Sequence, residues 1–386
     1  MNHFDVAIIG AGPAGSAAAI SLARRGYSVA LMDKEQFPRE KLCGDFINPS
    51  NWPILDELGV RGELLLRAHE TVTAFRLTSY RGGDVETPMP SINGAPTFGL
   101  GLRRFYFDQI MLNKAEGEGV TTFQASRVKR LQRQPAGWRI EFSRRESVED
   151  LQATILIGAD GRNSWVAHHL GMARGMEHRR RAVGFQLRLK CRTGLNGKVE
   201  IHLFAGGYAG LLGLGDGTIN LCLAAEKRRL SDRDPLDSLI ESQLPGNPYL
   251  KEILQQSERI GEARSTYPVY FPPRRAYDDG ILLIGDAARV NEPVTGEGVY
   301  FALRSGLIAA ATIDEAFRRQ DFSARPLSAY ARRCEREFRL RRSLNVLIRF
   351  LMYRPALATA FIRMSGNRGG MLESLVHALC MPATAA

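Results

Sequence analysis

The chain has 386 residues, is 44% hydrophobic and 24% charged, and carries a formal net charge of +11. That length exceeds one small core and calls for two or more domains, while no apolar run reaches the roughly 18 residues of a membrane span. The five cysteines (Cys43, Cys191, Cys222, Cys334 and Cys380) are scattered without a CxxC pair, which excludes a disulfide framework or zinc site, and the positive charge comes with no nucleic-acid module.

The first thirty residues hold the strongest pattern. An apolar β-type run, Phe4–Ile9, enters the turn Gly10-Ala11-Gly12-Pro13-Ala14-Gly15. A helix is predicted from Pro13, whose fixed φ suits a first helical position, to Gly26. A second apolar run, Tyr27–Met32, ends on Asp33. In such a unit the first glycine makes the tight turn, the second admits a pyrophosphate and the third lets helix and strand pack closely. The helix N-terminus favours phosphate, and the acid about 20 residues on takes ribose hydroxyls. Because the turn begins at residue 10, no signal peptide is expected, which argues for the cytoplasm.

The stretch from Lys34 to Pro49 reads as a loop, with two prolines and a glycine among polar residues. It follows the ribose-binding acid, so it is positioned to run along an extended dinucleotide. Arg39 and Lys41 suit phosphate or a ring carbonyl, and Cys43-Gly44 lets backbone approach a flat ring. Residues 51–68 are predicted helical and 72–80 a half-buried strand. A Pro- and Gly-rich loop then runs to Phe98. A helix from Leu102 to about Gly117 carries Arg104, which can reach a cofactor phosphate or pair with Asp108.

Further strands are predicted at Val120–Phe123, Arg127–Leu131 and Trp138–Ser143. The buried run Thr154–Ile157 ends in Gly158-Ala159-Asp160-Gly161, a second strand tip with an acid and glycines. Residues 183–225 form a β-rich middle. Within it Ala205–Gly217, rich in glycine and poor in charge, is predicted to line a site or form a tight hairpin. Residues 232–256 read as surface helices. Ile281–Ile284 is a third apolar strand, tipped by Gly285-Asp286, and the turn Gly296-Glu297-Gly298-Val299 opens a helix to about Phe317. From Leu327 the chain is helical to its end, broken at Pro355. Between Arg318 and Arg349 ten arginines face Asp321, Glu335 and Glu337. Their plainest reading is a solvated helix face; a sharper one is a surface that meets an anionic membrane at its periphery, the phosphate of NADPH or an acidic partner.

Three strand tips, at Gly10, Asp160 and Asp286, exceed what a nicotinamide dinucleotide alone requires. FAD, with a polyol chain beyond its pyrophosphate, uses all three. No second GxGxxG follows a strand, so NAD(P)H would dock transiently as electron donor.

At these residues the chain resembles flavoprotein monooxygenases of the p-hydroxybenzoate hydroxylase type. The loop Phe37-Pro38-Arg39-Glu40-Lys41-Leu42-Cys43-Gly44 and the run Pro293–Val299 resemble the geranylgeranyl reductase branch of that superfamily. The resemblance implies an α/β fold: a Rossmann-like FAD-binding domain with a parallel sheet (1–71, 97–181 and 268–324), a β-rich antiparallel substrate domain (72–96 and 182–267) and a helical C-terminus (325–386). It implies cofactor contacts at Gly10, Gly12, Pro13, Ala14, Gly15, Asp33, Lys34, Lys41, Cys43, Gly44, Arg104, Ala125, Asp160, Gly285, Asp286, Gly296, Gly298 and Val299. It also implies a possible catalytic part for Cys43 and substrate contacts at Tyr208 and Leu211. The branch's Tyr-x-Trp-x-Phe-Pro motif is reduced here to Tyr208-Ala209-Gly210-Leu211-Leu212-Gly213, and the tryptophans Trp52, Trp138 and Trp165 stand isolated, which disfavours a halogenase. The leading expectation is an NAD(P)H-dependent hydroxylase of an apolar aromatic or polyketide-like molecule. The alternatives are a reductase of C=C bonds in a prenyl or other lipid chain, and a flavin-binding protein that joins a partner.

Overall fold

A computed structural model describes residues 3–80, 82–92, 95–145, 147–173, 182–191, 193–231, 233–368 and 370–381. Residues 174–181, the end of the expected segment 97–181, lie outside the described residues. Five strands run parallel in the order Thr121–Phe123, Val29–Met32, His3–Ile9, Ser147–Gly158 and Ile281–Leu283. Strand Ser147–Gly158 pairs with His3–Ile9 along one edge and serves two strands along the other. Its last residues pair parallel with Ile281–Leu283, and its first pair antiparallel with Gly137–Arg144, which continues to Ser126–Gln134.

The central parallel strands are buried on both faces over Val6–Ile9, Val29–Met32, Ile155–Gly158 and Ile281–Leu283, as their apolar runs require, while the edge strand Thr121–Phe123 stays partly exposed. Val6 and Ile8 pack among helices Pro13–Ala23, Arg104–Gly117 and Gly298–Arg319. Ala7 and Ile9 face Trp138, Ile140 and Phe142 of the antiparallel arm. Gly10 has φ +110°, and a Cβ there would lie 2.3 Å from the Ala159 carbonyl oxygen; one on Gly15 would lie 1.9 Å from the Gly10 oxygen. Both glycines therefore exist for close approach, as the motif predicts.

The second sheet runs Ser257–Thr266, Ala182–Cys191, Thr218–Glu226, Gly207–Gly213, Lys198–Phe204, Ala74–Thr78 and Asp84–Pro88. One face packs on the C-terminal helices through Tyr208, Leu212, Ile348 and Val376. The other packs on helices Pro235–Ser242 and Pro248–Gln255 through Leu211, Leu239 and Leu250. The sheet thus lies over the carboxyl ends of the parallel strands as a roof.

Three local expectations change, and the glycine-rich segment forms the hairpin expected of it. Residues 51–68 form two helices, Trp52–Leu58 and Arg61–Leu65, because Gly59 takes a left-handed conformation between them. The stretch before Phe98 contains strand Asp84–Pro88, paired with Ala74–Thr78; its proline sits at the strand end, where no ladder bond is lost. The glycine-rich segment is the strand Gly207–Gly213, hairpinned to Lys198–Phe204. The helices of 232–256 bury Leu239, Leu244 and Leu250. The C-terminus forms three helices, Ala324–Met352, Pro355–Arg368 and Met371–Cys380.

Candidate functional site

Between the parallel strand tips and the roof lies one continuous cavity of about 1250 Å³. Gly10, Gly12, Pro13 and Ala14 line its near end. Helix Pro13–Ala23 starts without a side-chain cap, so its first-turn amides are open to an anion. Asp33, at the next strand tip, accepts from the Ala11 amide at 2.9 Å and from the Glu35 amide at 3.0 Å. Those bonds fix a buried carboxylate beside the glycine turn.

Basic side chains gather in the same region. Asp108 is fully buried and accepts from Arg104 at 2.7 and 2.8 Å and from Arg39 at 2.9 Å. Arg104 therefore pairs with Asp108 and also lines the cavity. Burial, and then Arg39 and Arg104, push the Lys41 ammonium below its ordinary value. Such crowding of like charge is relieved by a bound phosphate. Lys34 stands at the exposed rim, 3.8 Å from Glu35. Asp286 reaches Arg162 at 3.6 Å, and the Gly285 amide donates to Ser305 Oγ at 3.0 Å. Asp160 lines the cavity but turns one oxygen to the Val166 amide at 3.1 Å, holding the helix Trp165–His169.

Two expected cofactor residues stand back from the wall. Gly15 is spent on packing against Gly10. Ala125, at φ +51°, donates its amide to Glu35, and its neighbours Ser126, Arg127 and Val128 form the wall instead.

Midway along the cavity the Cys43 loop meets the roof. The Cys43 carbonyl accepts from Gln186 Nε2 and Asn220 Nδ2, each at 2.8 Å, and from the Cys222 thiol at 3.2 Å. The Cys43 thiol is hydrogen-bonded to Arg104, yet burial outweighs that cation and raises its pKa above the ordinary thiol value. At neutral pH it is a thiol, able to give a proton.

The far turn is held from a distance. Asn345, on the long C-terminal helix, accepts from the Glu292 amide at 3.1 Å and donates to the Glu292 carbonyl at 2.9 Å and to Thr295 Oγ1 at 3.1 Å. Arg341 on the same helix meets Glu297 at 2.5 Å and also donates to the carbonyls of Leu379 and Met381. Burial pushes the Glu297 carboxyl up to about 7, with Arg341 opposing it. Gly296, Gly298 and Val299 line the cavity here, and Gly298 begins a 22-residue helix whose N-terminal amides favour negative charge.

Beyond this turn the cavity becomes apolar, walled by Leu77, Ile201 and Leu212 of the roof and by Ile348, Phe361 and Val376 of the C-terminal helices. Tyr208 donates to Glu292 at 2.6 Å inside it, and burial raises both pKa values. Tyr208 and Leu211 both line the cavity; the Leu211 side chain packs in the outer core with Phe204 and Leu250, while Leu212 joins Tyr208 on the inner face. Strand alternation decides this parity. Sequence reasoning missed Gln186, Asn220, Glu292, Asn345 and Arg341. Glu292 alone had a signal, a carboxylate directly before the Pro293–Val299 run.

The donors fit FAD: a glycine turn open to phosphate, a carboxylate at ribose distance from it, excess positive charge between them, and amides at a second helix start. Residues 3–191 match the protein family described as FAD binding domain. Digeranylgeranylglycerophospholipid reductase 2 of Methanopyrus kandleri is 28% identical, over 87% of this chain and 83% of its own length. Menaquinone reductase of Mycobacterium tuberculosis is 28% identical, over 93% and 87%. Among solved structures, the flavin-dependent brominase Bmp2 superposes with a TM-score of 0.82 at 23% identity, covering 98% of this chain and 94% of its own. A geranylgeranyl bacteriochlorophyll reductase-like protein of Thermoplasma acidophilum gives 0.78 at 20% identity, over 92% and 88%. Residues 3–191 are thus the FAD binding domain of an FAD-dependent oxidoreductase, and the chain is similar over most of its length to reductases of prenylated lipids and quinones in name and to flavin-dependent enzymes in fold.

Proposed function

We propose that this enzyme reduces carbon–carbon double bonds in a prenyl or comparably long apolar chain, with NAD(P)H as transient electron donor. The observation that carries this reading is the apolar arm of the cavity. At about 1250 Å³ the whole exceeds the roughly 300–1,000 Å³ of a single-ligand pocket, so a second, elongated guest fits beside a dinucleotide. A compact aromatic substrate for hydroxylation does not need an arm walled by three roof strands and three helices. The reductase names of the two curated relatives support the same preference over hydroxylation.

When bound, FAD supplies the hydride. The chain supplies everything else. Gly12, Ala14, Asp33 and the Arg39–Lys41–Arg104 cluster hold the phosphates and ribose, and the Gly298 helix start holds the ring end. Saturating a double bond also takes one proton at the other carbon. Cys43 is the proposed donor, kept protonated by burial and aimed by the Gln186 and Asn220 bonds to its carbonyl. The roof and C-terminal helices exclude water.

Stopped-flow reduction and turnover, run with and without O₂ on a prenylated lipid, test the reading. Anaerobic saturation of the chain at undiminished rate is expected. Turnover that stops without O₂ and yields a hydroxylated product would return the assignment to a monooxygenase.

A further inference from the structure

We propose that the outer face of the C-terminal helices is a docking surface for an anionic lipid bilayer. This deepens the proposed reading by naming where its substrate comes from, but the surface argument stands on geometry of its own.

The basic helix is not simply a solvated face. Arg341 is buried on Glu297, and Arg333 and Arg342 pair with Glu315 and Glu335. The arginines that remain exposed on it, Arg325, Arg332, Arg336 and Arg339, belong to its first half. The second half is apolar on two sides. Ile348 and Met352 point inward and line the cavity. Outward stand Leu340 at 66% exposure, Val346 and Leu347 at 52% and Phe350 at 47%. Arg336, Leu340, Ser343, Leu347 and Phe350 recur at alternating spacings of four and three, one line along the helix. The next helix also exposes Leu357 and Met364, with exposed Arg354 and Arg363 beside them in sequence.

Large apolar side chains face water here on the side of the helix away from the cavity, with Arg354 stacked on the Phe350 ring. Exposed large apolar side chains in one patch mark an interaction site, and an apolar stripe rimmed by arginine matches an interfacial helix. No described helix is long and apolar enough to cross a membrane, so contact is peripheral. A two-fold copy of this chain is a poorer occupant. An isologous interface would set Arg336 and Arg339 near their own symmetry mates. The wall between patch and cavity is one helix thick, so a docked bilayer lies next to the apolar arm.

Flotation of the FAD-loaded full chain with phosphatidylglycerol-containing vesicles, and with phosphatidylcholine alone, tests this. Salt-sensitive binding to the anionic vesicles is expected. The pair Leu347→Glu and Phe350→Glu should weaken partitioning about 100-fold and Arg336→Glu with Arg339→Glu about tenfold, with flavin absorbance, melting temperature and NAD(P)H oxidation unchanged. No vesicle binding by the parent chain would overturn the proposal. So would a dimer in light scattering that Leu347→Glu and Phe350→Glu dissociate, since the face would then belong to a second copy. A chain that binds vesicles yet saturates no double bond leaves the docking surface standing and removes only the proposed reaction.

Discussion

The two ends of the cavity are built in opposite ways. At the nucleotide end, one unbroken segment supplies strand, turn, helix and acid: Gly10, Ala14 and Asp33 lie within 24 residues, and the bond from the Ala11 amide to Asp33 closes the unit. At the ring end, the turn from Glu292 to Val299 is held by Asn345 and Arg341, and Arg341 in turn grips the carbonyls of Leu379 and Met381. The Cys43 loop is likewise pinned by roof residues Gln186 and Asn220. A locally closed unit tolerates variation elsewhere; a turn clamped across the chain depends on every element that reaches it.

Breaking the near end should have the largest effect. Gly10→Ala places a Cβ 2.3 Å from a backbone oxygen at φ +110°, and a cost of more than ~4 kcal/mol is expected. Purified protein should be unfolded or colourless by flavin absorbance. At the far end Arg341→Met strands the Glu297 carboxyl in a buried setting, a loss of about 3–5 kcal/mol in urea unfolding. Glu297→Gln combined with it should recover part of that loss, because the orphaned charge goes too.

Cys43→Ala should leave flavin content intact and lower turnover about 10²-fold. The pH dependence carries a sign. The folded thiol has a raised pKa, and the donor must be protonated, so the rate should hold through neutral pH and fall only as pH rises above the ordinary thiol range. A rate that instead rises with pH would mean a thiolate mechanism. The smallest effect is expected for Asn220→Leu, which removes one of three donors to the Cys43 carbonyl. A cost of about 1–3 kcal/mol should appear mainly as lower kcat with KM little changed, and Asn220→Gln should restore part of it.

The glycine turn and the parallel strands were legible in the chain as local patterns: four are apolar runs ending in glycine or an acid, and the edge strand Thr121–Phe123 is a short β-branched run before Gln124. Asp33, Gly285 and Asp286 were reachable by the same route, whereas Tyr208 and Leu211 came from the family resemblance. Alternation along their strand gives parity but not which parity faces the cavity, so the inward place of Leu212 was not legible. Arg341 and Asn345 were hidden in a helix whose composition reads as a solvated basic face, and nothing local separates a buried arginine from its exposed neighbours.

The amino-acid order alone therefore determined the parallel sheet, the dinucleotide turn and the class of cofactor, since these rest on backbone geometry within a few residues of each glycine. Only the tertiary structure decided which side chains meet at the ring end, how far the apolar arm extends, and which arginines stay in water. Those depend on contacts between segments 50 to 180 residues apart, and burial there, not sequence spacing, sets both the partners and the charge states.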